Sequence, residues 1–305
     1  MGKNKKKRSK DEGFLCELPK SEYLVPFDGT FRIGKADTAP PDDAPQGKKG
    51  KKENKEHLLE HIEVCSELQR KFYAHDRFSL LLVFQAMDAA GKDGTIRAVM
   101  TGLNPAGVQT FTFKRPSAEE LEHDFLWRVH QRVPERGRIG IFNRSHYEEV
   151  LIVRVAKLLA SRRLPRIPKD VWDERLESIR DFEKHLARNG TLILKFFLNV
   201  SRDEQEKRLR ARLDDPAKNW KFEAADLDVR EQWDEYMEAY EAALNATSTP
   251  WAPWYAIPAD DKPFMRRKVA SILRQALENL PLEWPQLHAD EIARLDEWRG
   301  RLESD

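Results

Sequence analysis

Residues 84–100, with the sequence FQAMDAAGKDGTIRAVM, combine a lysine, small residues and a carboxylate in a pattern suited to phosphate binding. An apolar run ends here, Gly91 and Lys92 follow, and a helical pattern carrying Ile96 and Val99 comes next. Backbone N–H groups at a helix start bind phosphate oxygens, and a nearby lysine adds positive charge. We expect this lysine to face solvent. The residues expected to contact phosphate are Ala89, Ala90, Gly91, Lys92, Asp93, Gly94 and Thr95.

Two departures from the usual phosphate-binding loop indicate how a metal is held. Ala86 stands where the first glycine is usual, and Asp93 replaces the Ser or Thr that normally ligates Mg²⁺. Asp88 lies inside the turn, where a carboxylate beside a phosphate is reasonable if it binds the metal. We therefore expect Mg²⁺, with Mn²⁺ as an alternative ion. The competing interpretation is an ordinary strand–turn–helix corner with a capping aspartate.

A second polar segment follows another apolar run, in IGIFNRSHYEEV at residues 139–150. Ligands of open α/β sheets gather at the carboxyl ends of strands, so this segment is expected to face the phosphate turn. Arg144 is suited to hold a phosphate by two parallel hydrogen bonds. Asn143 or Glu148 is suited to position the nucleotide or the metal, and Asp88 and Glu148 are the candidate metal ligands. The alternative is a polar loop with solvated charges.

Further basic residues occur at several positions from which they could surround a polyanion. The candidates are Lys114 and Arg115 in FKRPS, Arg128, Arg208 and Arg212, and Lys218 and Lys221. Arg208 and Arg212 are four residues apart and share one helix face. Residues 214–233, DDPAKNWKFEAADLDVREQW, have the composition of a flap over the site rather than of a core.

The elements that must position these residues follow an alternating pattern. Candidate strands cover residues 79–86, 108–113, 138–142, 191–200 and 254–258. Their continuous apolarity indicates strands buried on both faces, as in a parallel sheet. Ser117 with Glu120, and Ser201 with Glu204, have capping-box spacing at helix starts. The pattern predicts an α/β protein with a three-layer P-loop-kinase-like fold, a mainly parallel sheet and a helical lid.

Composition excludes several classes of protein. The 305 residues include 53 Lys and Arg against 52 Asp and Glu, a net charge of +1 that argues against a globally basic nucleic-acid-binding protein. Cys16 and Cys65 lack the number and spacing of a disulfide framework or zinc site. The longest apolar stretch, Leu80–Phe84, is too short for a membrane span, and no targeting segment is recognisable. We expect a cytoplasmic protein without a membrane partner.

The chain divides into three parts by composition. Residues 1–55 are predicted to be a partly flexible arm and linker, in which the apolar segment EYLVPFDGTFRI docks on the main body. Residues 56–283 form the predicted phosphotransferase domain, with regular structure beginning at Glu56 and a lid at about 207–230. Residues 284–305 are predicted to be a C-terminal helical tail.

Taken together, MDAAGKDGT, FKRPS, NRSHYE, RLDDPAKNWKF and WAPWYAIPADDK resemble the polyphosphate kinase 2 family over about residues 56–280. The resemblance implies Mg²⁺-dependent phosphoryl transfer between inorganic polyphosphate and a nucleotide. It assigns Asp88 and Lys92 to the phosphate loop, Asn143 and Arg144 to the second motif, and Arg208 and Arg212 to the lid helix. The residues expected to act in catalysis are Asp88, Lys92, Asn143, Arg144 and Arg208.

One departure inside the family concerns the substrate. Many members have FDRSW where this chain has FNRSH, with Asn143 in place of Asp and with Glu148 following. This variant resembles the subgroup that accepts both nucleoside mono- and diphosphates. The resemblance implies AMP, ADP, ATP and guanine nucleotides as partners, and a homo-oligomer.

The reaction expected from these residues is direct in-line transfer without a covalent intermediate. We identify no proton-accepting partner for His146 in the sequence, so a phosphohistidine route is not expected. An ATP-dependent nucleotide or small-molecule kinase is the enzymatic alternative, but it predicts Ser or Thr directly after Lys92. A nucleic-acid-binding module is the other alternative, and it predicts an excess of positive charge.

Overall fold

Five apolar segments form a parallel sheet in the order β2-β3-β1-β4-β5 in the computed structural model, which describes residues 15–45, 47–162 and 164–303. The strands are β1 (Ser79–Gln85), β2 (Val108–Thr112), β3 (Ile139–Asn143), β4 (Thr191–Asn199) and β5 (Trp254–Pro258). Every pairing is parallel. The predicted strands and fold class are confirmed, with boundaries that differ by at most one residue.

Burial explains why these strands were recognisable. β1, β3, β4 and β5 are buried along their whole length, as expected for a parallel sheet covered on both faces. β2 is the exception, because it lies at an edge and its residues are half-buried or exposed. The candidate site residues of β1 and β3 therefore lie at or after the ends of these strands, beyond the buried apolar runs.

Two groups of helices cover the sheet. α1 packs along α9 and α2 packs against α9, whereas α5 packs against α8 in the second group. The helices are α1 (Gly47–His75), α2 (Lys92–Met100), α3 (Trp127–His130), α4 (Ile152–Val155), α5 (Val171–Arg188), α6 (Arg202–Leu213), α7 (Ala225–Glu231), α8 (Trp233–Thr247), α9 (Lys262–Asn279), α10 (Ala289–Ala293) and α11 (Leu295–Glu303). Short 3₁₀ helices occupy Ile33–Lys35, Pro105–Gly107, Glu120–Glu122, His146–Glu149, Leu158–Arg162 and Asn219–Lys221.

The two capping patterns have different outcomes. Ser201 caps α6, because its hydroxyl accepts from the backbone N–H of Glu204 at 3.1 Å. Ser117 and Glu120 exchange both capping bonds, but only a single 3₁₀ turn at Glu120–Glu122 follows. A capping box therefore fixes where a turn begins without fixing how far a helix continues.

The first helix begins at Gly47, nine residues before the start at Glu56 that the sequence predicts. Lysine, glutamate and asparagine between these positions carry no apolar periodicity, yet they extend an already nucleated helix at little cost. Gly50 makes the start possible, since a Cβ at this position would stand 1.9 Å from the carbonyl oxygen of Pro45. Only a glycine allows the preceding chain to pass so close.

The apolar N-terminal segment lies on the free edge of β5. Leu24 forms an antiparallel bridge with Tyr255, the Val25 N–H donates to the Trp254 carbonyl at 2.9 Å, and the Ala256 N–H donates to the Tyr23 carbonyl at 2.9 Å. The Tyr255 hydroxyl donates to the Pro19 carbonyl. These bonds satisfy backbone groups that an edge strand otherwise leaves unpaired. The charged segment Met1–Gly13 lies outside the described residues.

Two expectations about cellular context are tested by the described part of the chain. No helix in it is long and apolar enough to cross a membrane. Cys16 and Cys65 are both free thiols, and burial is the main cause of the raised pKa of each.

A buried ion pair lies between the sheet and α5, behind the NRSHYE segment. Lys195 of β4 lies 2.5 Å from the Glu183 carboxylate and 2.8 Å from the Tyr147 hydroxyl, and all three side chains are fully buried. The Lys195 ammonium also donates to the Thr247 carbonyl at 2.8 Å. The network therefore fixes Tyr147, and with it the turn that follows β3, to the helical layer behind.

Burial lowers the pKa of Lys195 to about 8, and the charge of Glu183 offsets only part of this effect. Between about pH 8 and the ordinary value of 10.5, the unfolded chain keeps a proton that the folded protein has lost. The unfolded state then binds more protons, so this lysine makes the free energy of unfolding rise with pH in that window.

We predict that the double variant Glu183→Gln/Lys195→Met loses this contribution. The quantity compared is the change in the free energy of unfolding between pH 8 and pH 10, measured in urea. In the variant this change should be less positive than in the unmodified protein, by on the order of 1 kcal/mol per pH unit. Other titrating groups are common to both proteins, so the difference isolates the pair. Identical pH slopes would show that Lys195 titrates normally in the folded state.

Candidate active site

The phosphate-binding turn is the connection from β1 to α2. Ala89 and Gly91 have positive φ values of 61° and 108°, which turn the backbone sharply before Lys92 starts the helix. The N–H groups of Gly91, Lys92, Asp93 and Gly94 donate to no other described residue. A helix start with four unpaired N–H groups, next to a lysine, is a ready anion site.

Lys92 lies back along the turn rather than facing solvent, contrary to expectation. Its half-buried side chain donates from Nζ to the Ala86 carbonyl at 2.7 Å and to the Met87 carbonyl at 3.3 Å. Burial lowers the pKa of the ammonium, and the nearby Asp88 charge offsets part of this effect. An anion bound at the helix start would favour the charged lysine further.

Arg144 connects the second strand end to the turn. Its Nη2 lies 2.8 Å from Oδ1 of Asp88, and its backbone has a positive φ of 61°. Such a conformation is uncommon for a residue with a side chain and is frequent at functional sites. Burial alone would lower the pKa of Arg144, but the charges of Glu148 and Asp88 outweigh burial and raise it. The guanidinium therefore remains charged beside the turn.

Asn143 explains how Asp93 is accommodated. The Asn143 amide donates from Nδ2 to Oδ1 of Asp93 at 2.5 Å, across the gap between β3 and the first turn of α2. An aspartate at position 143 would bring two carboxylates together at this distance, whereas the amide supplies a donor. The asparagine variant and Asp93 are thus a matched pair.

Asp88 and Glu148 are the two carboxylates expected to hold a divalent cation. Burial raises the pKa of Glu148, and Asp88 adds to this, while Arg144 and a hydrogen bond from Gln85 at 3.1 Å counteract it. Over the described residues, no group of three acidic, His or Cys side chains is placed to hold a metal. Mg²⁺ commonly takes one or two carboxylates, with waters and substrate phosphates as the remaining ligands. A pair formed by Asp88 and Glu148 fits that ion used together with a phosphate substrate.

Arg208 occupies a different position from the one its expected role requires. Its guanidinium is buried, and its five N–H groups point to protein oxygens between 2.7 and 3.3 Å away. The acceptors are the Glu204 carboxylate and the carbonyls of Ala89, Ala90, Ala259 and Asp260. A guanidinium has five N–H donors, so a direct phosphate contact requires one of these bonds to break. In this arrangement Arg208 supports the phosphate turn from behind.

The expected lid residues are paired within the lid. Arg212 lies 3.2 Å from the Asp226 carboxylate and also donates to the Lys221 carbonyl. Lys218 pairs with Asp215 at 2.6 Å, and the ammonium of Lys221 lies 5.0 Å from the centre of the Trp220 ring. Trp220 itself is 76% exposed. The structure thus does not bring Lys218 or Lys221 into contact with the phosphate turn.

The basic residues after β2 form a separate cluster on that side of the sheet. Arg128 donates to the Lys114 carbonyl at 2.7 Å and pairs with Glu120 at 3.2 Å. Lys114 and Arg115 are exposed. Burial lowers the pKa of Arg128, while the charges of Glu120 and Glu149 counteract it.

Several polar residues near the turn were missed in the sequence. Gln205 donates to the Asp88 carbonyl at 3.1 Å, and Gln85 holds Glu148. Burial is the main cause of the raised pKa of Tyr236, about 12, and of Tyr240, well above the ordinary value, and the charges of Glu148 and Asp88 add to it. Gln85 could have been found from the sequence, because it is a polar residue at the carboxyl end of a buried apolar strand, where ligands of open α/β sheets bind. The two tyrosines are indistinguishable in sequence from core residues of an amphipathic helix.

His146 has a partner after all, but its position does not suit a nucleophile. Nε2 lies 3.4 Å from Glu183, and the imidazole is almost fully buried, which lowers its pKa. Nδ1 is buried without a hydrogen-bond partner among the described residues. The ring lies in the core with Tyr147 and Phe182, whose centroids are 4.7 and 5.9 Å away. This geometry agrees with the expectation that His146 forms no covalent intermediate.

The chain is similar to known proteins over most of its length. Residues 48–283 match the family model described as polyphosphate kinase 2 (PPK2). The chain is 54% identical over 242 residues to the ADP-polyphosphate phosphotransferase of Rhodopseudomonas palustris, covering 77% of this chain and 84% of that protein. It is 48% identical over 265 residues to the AMP/ADP-polyphosphate phosphotransferase of Meiothermus ruber, covering 87% and 95% respectively.

A solved structure has the same architecture over almost the whole chain. The polyphosphate kinase 2 from Arthrobacter aurescens TC1 superimposes with a TM-score of 0.81 at 40% sequence identity. The match covers 93% of this chain and 98% of that structure. The fold predicted from the sequence and the fold of this family therefore agree.

We predict that Arg208 contributes to stability more than a surface arginine does. Arg208→Met leaves the buried carbonyls and Glu204 without their charged donor, and should lower the free energy of unfolding by at least about 2 kcal/mol. The control is Arg210→Met in the same helix, whose side chain is 71% exposed and paired with Glu206, and which should change stability by less than about 1 kcal/mol. Urea unfolding measures both, and equal losses would refute the structural role.

Proposed function

The chain belongs to the polyphosphate kinase 2 family, and on this premise we propose that it moves a terminal phosphoryl group between inorganic polyphosphate and AMP or ADP by direct in-line transfer. The observation that carries the proposal is the start of α2, where four unpaired N–H groups meet Lys92 and the Arg144–Asp88 pair. These groups converge at the end of the central strand β1, where open α/β sheets bind ligands.

The chemistry needs no strong base. An oxygen of the nucleotide's terminal phosphate, already anionic, attacks the terminal phosphorus of the polyphosphate chain. The bond from that phosphorus to the bridging oxygen breaks, and the shortened chain leaves with the electron pair on that oxygen. Lys92, Arg144 and the N–H groups of α2 orient the reacting groups and offset their negative charge, which is the main task of a protein in phosphoryl transfer.

Asp88 and Glu148 are the residues proposed to hold Mg²⁺, or Mn²⁺ in its place. Their carboxylates would hold the ion, which would supply positive charge to offset that of the transferring phosphate. Asp88 also keeps Arg144 directed to the turn through the 2.8 Å ion pair. The remaining predicted binders, namely Lys114, Arg115, Arg128, Arg212, Lys218 and Lys221, are proposed to act on substrate after the lid closes.

Acceptance of both AMP and ADP is part of the proposal and rests on two observations. The relative from Meiothermus ruber is named for both nucleotides, and it covers most of this chain. Asn143 is neutral and already donates to Asp93, so no extra carboxylate repels a nucleotide phosphate. ATP as the product, guanine nucleotides as further substrates, a homo-oligomer and a cytoplasmic location belong to the same proposal.

The ATP-dependent kinase remains the alternative to be tested. Asp93 argues against this alternative. Its carboxylate accepts a hydrogen bond from Asn143, and it has no hydroxyl group to offer a metal. Incubation with polyphosphate, Mg²⁺ and AMP or ADP, followed by ion-exchange chromatography, should yield ADP and ATP. Nucleotide formation that needs ATP and ignores polyphosphate would overturn the proposal.

We predict that Lys92→Ala lowers kcat/KM for polyphosphate by about 10²–10³, because it removes one charged contact to the transferring group. The matched control is Lys55→Ala, an exposed lysine of α1, which should leave kcat/KM unchanged. Circular dichroism and urea unfolding check that the Lys92 variant is folded. Near-normal turnover in a folded variant would remove Lys92 from the site.

We predict that Asp88→Asn raises the Mg²⁺ concentration needed for half-maximal activity by on the order of tenfold or more. Even residues behind the ligands of a metal change its affinity by that factor, so loss of a ligand should do at least as much. A Mg²⁺ titration of the initial rate measures the shift. If kcat falls at every concentration while the half-maximal concentration stays constant, Asp88 acts only through Arg144.

A further inference from the structure

A cavity of about 540 Å³ lies outside the site described so far. Its walls come from three segments that are distant in sequence, namely the N-terminal arm at residues 27–29, the second half of α5, and the end of α8 with the loop that leads to β5. The volume is within the range of pockets that hold a small organic molecule, roughly 300–1,000 Å³. We refer to it as the arm–α5 cavity.

The arm–α5 cavity lies at the opposite edge of the sheet from the phosphate turn. The loop at residues 248–251 precedes β5, and α5 ends at Arg188 just before β4 begins at Thr191, so these walls lie towards the amino ends of the strands. The phosphate turn follows the carboxyl end of β1, which is parallel to β4. A strand of seven residues such as β1 spans roughly 23 Å. The cavity is therefore separate from the transfer site.

Two cations of α5 line the cavity and contribute little to holding the fold together. Arg180 and Lys184 are four residues apart and share one face of the helix. Among the described residues Arg180 has a single, loose ion pair, in which Nη2 lies 3.8 Å from the Glu177 carboxylate and the side chains are 41% and 65% exposed. The Lys184 ammonium pairs with no carboxylate of that part of the chain. Both charges therefore remain available to an anion.

Aromatic surface lies beside these charges. The Lys184 ammonium is 5.0 Å from the centre of the Trp251 ring, and Phe27 of the arm lines the cavity as well. Trp251 and Phe27 are half-buried, so each keeps part of its surface accessible. Aromatic rings stack on the bases of nucleotides, and lysine and arginine bind phosphate groups. A ligand that carries both a base and a phosphate uses both features.

Two further polar groups of the cavity wall have no partner within residues 15–45, 47–162 and 164–303. The Asp181 carboxylate takes part in no hydrogen bond or ion pair there. Thr249 is only 7% exposed, and its Oγ1 is buried without a hydrogen-bond partner. A buried hydroxyl in this state costs stability, so it favours a bound group that supplies a partner. A carboxylate accepts from the ribose hydroxyls in dinucleotide sites, and Asp181 can make the same contact.

The other polar residues of the wall hold the cavity in shape. Asn245 exchanges two hydrogen bonds of 3.0 Å with the backbone N–H and carbonyl of Phe31. Ser248 donates from its hydroxyl to the Val25 carbonyl at 2.9 Å. These bonds join the arm to the end of α8 and the loop that follows. The wall is thus formed before a ligand arrives, which reduces the cost of ordering it on binding.

We propose that the arm–α5 cavity is a second binding site for a nucleoside phosphate, at which no phosphoryl group is transferred. Arg180 and Lys184 contact its phosphates. Phe27 and Trp251 contact its base, and Asp181 accepts from its ribose. The inference goes beyond the proposed function and does not rest on it, because none of these residues belongs to the transfer site. The bound molecule joins the arm to α5.

The test counts the binding sites and locates them. Binding of ADP in the absence of polyphosphate is measured by equilibrium dialysis for the unmodified protein, for Arg180→Gln/Lys184→Gln and for the control Lys55→Gln/Arg188→Gln. The control removes two positive charges from exposed positions that do not line the cavity. Photolabelling with a photoreactive azido-ADP, followed by mass spectrometry of the peptides, locates each site.

The unmodified protein should bind two ADP per chain, with label both at the phosphate turn and at residues 248–251. In Arg180→Gln/Lys184→Gln the affinity of the second site should fall by at least about tenfold, because two charged contacts to phosphate are lost. Its label at residues 248–251 should disappear, while the label at the phosphate turn stays. The control should match the unmodified protein in every measurement. Circular dichroism and the urea midpoint check that both variants are folded.

Other results overturn the inference. One ADP per chain in the unmodified protein, with label only at the phosphate turn, would show that the cavity binds no nucleotide. Binding of inorganic triphosphate at the second site with the affinity of ADP would make it an anion site in which the base takes no part. The same loss in the control would reduce the effect to net charge.

Two further outcomes separate this site from other roles. A changed molecular mass of Arg180→Gln/Lys184→Gln in light scattering, with ADP binding unaltered, would overturn the inference and make the cavity a contact between copies of the chain. If two ADP bind as expected but the protein transfers no phosphate from polyphosphate, the proposed function fails while this inference stands.

Discussion

The arrangement of the site depends on one guanidinium whose hydrogen-bonding capacity is fully used inside the protein. Arg208 binds the carbonyls of the phosphate turn on one side, the chain after β5 on another, and Glu204 of its own helix. Those carbonyls face Arg208, so the N–H groups of the same turn are free to point elsewhere. The anion site at α2 thus depends on a cation placed behind it.

The groups around this turn divide into side chains held in pairs and backbone N–H groups left without a partner among the described residues. Asp88 holds Arg144 at the turn through a 2.8 Å ion pair, and Gln85 donates a hydrogen bond to Glu148 at 3.1 Å. The Lys195–Glu183 pair is distinct from both, because it lies in the core and anchors Tyr147 after β3. Rigid support comes from buried pairs, and the groups left unpaired are those that a phosphate can use.

The sequence was sufficient for elements whose burial is continuous along the chain. The four buried strands could be predicted within one residue because each is a short apolar run, and the phosphate turn because its lysine, small residues and following helix are adjacent. The start of α1 at Gly47 was not predictable, since no apolar periodicity marks it. The acceptors of Arg208 come from segments distant in sequence, so no local pattern reveals whether this cation is free.

The pairing of Leu24 with Tyr255 joins residues 231 positions apart, 255 minus 24, near the two ends of the chain. A ribosome adds about 5–20 residues each second, so the arm is synthesised on the order of ten seconds or more before its partner strand exists. Its apolar side chains must wait without a docking surface while the central sheet is made. The arm therefore leaves the ribosome well before β5 but reaches its native position only after β5 has been released.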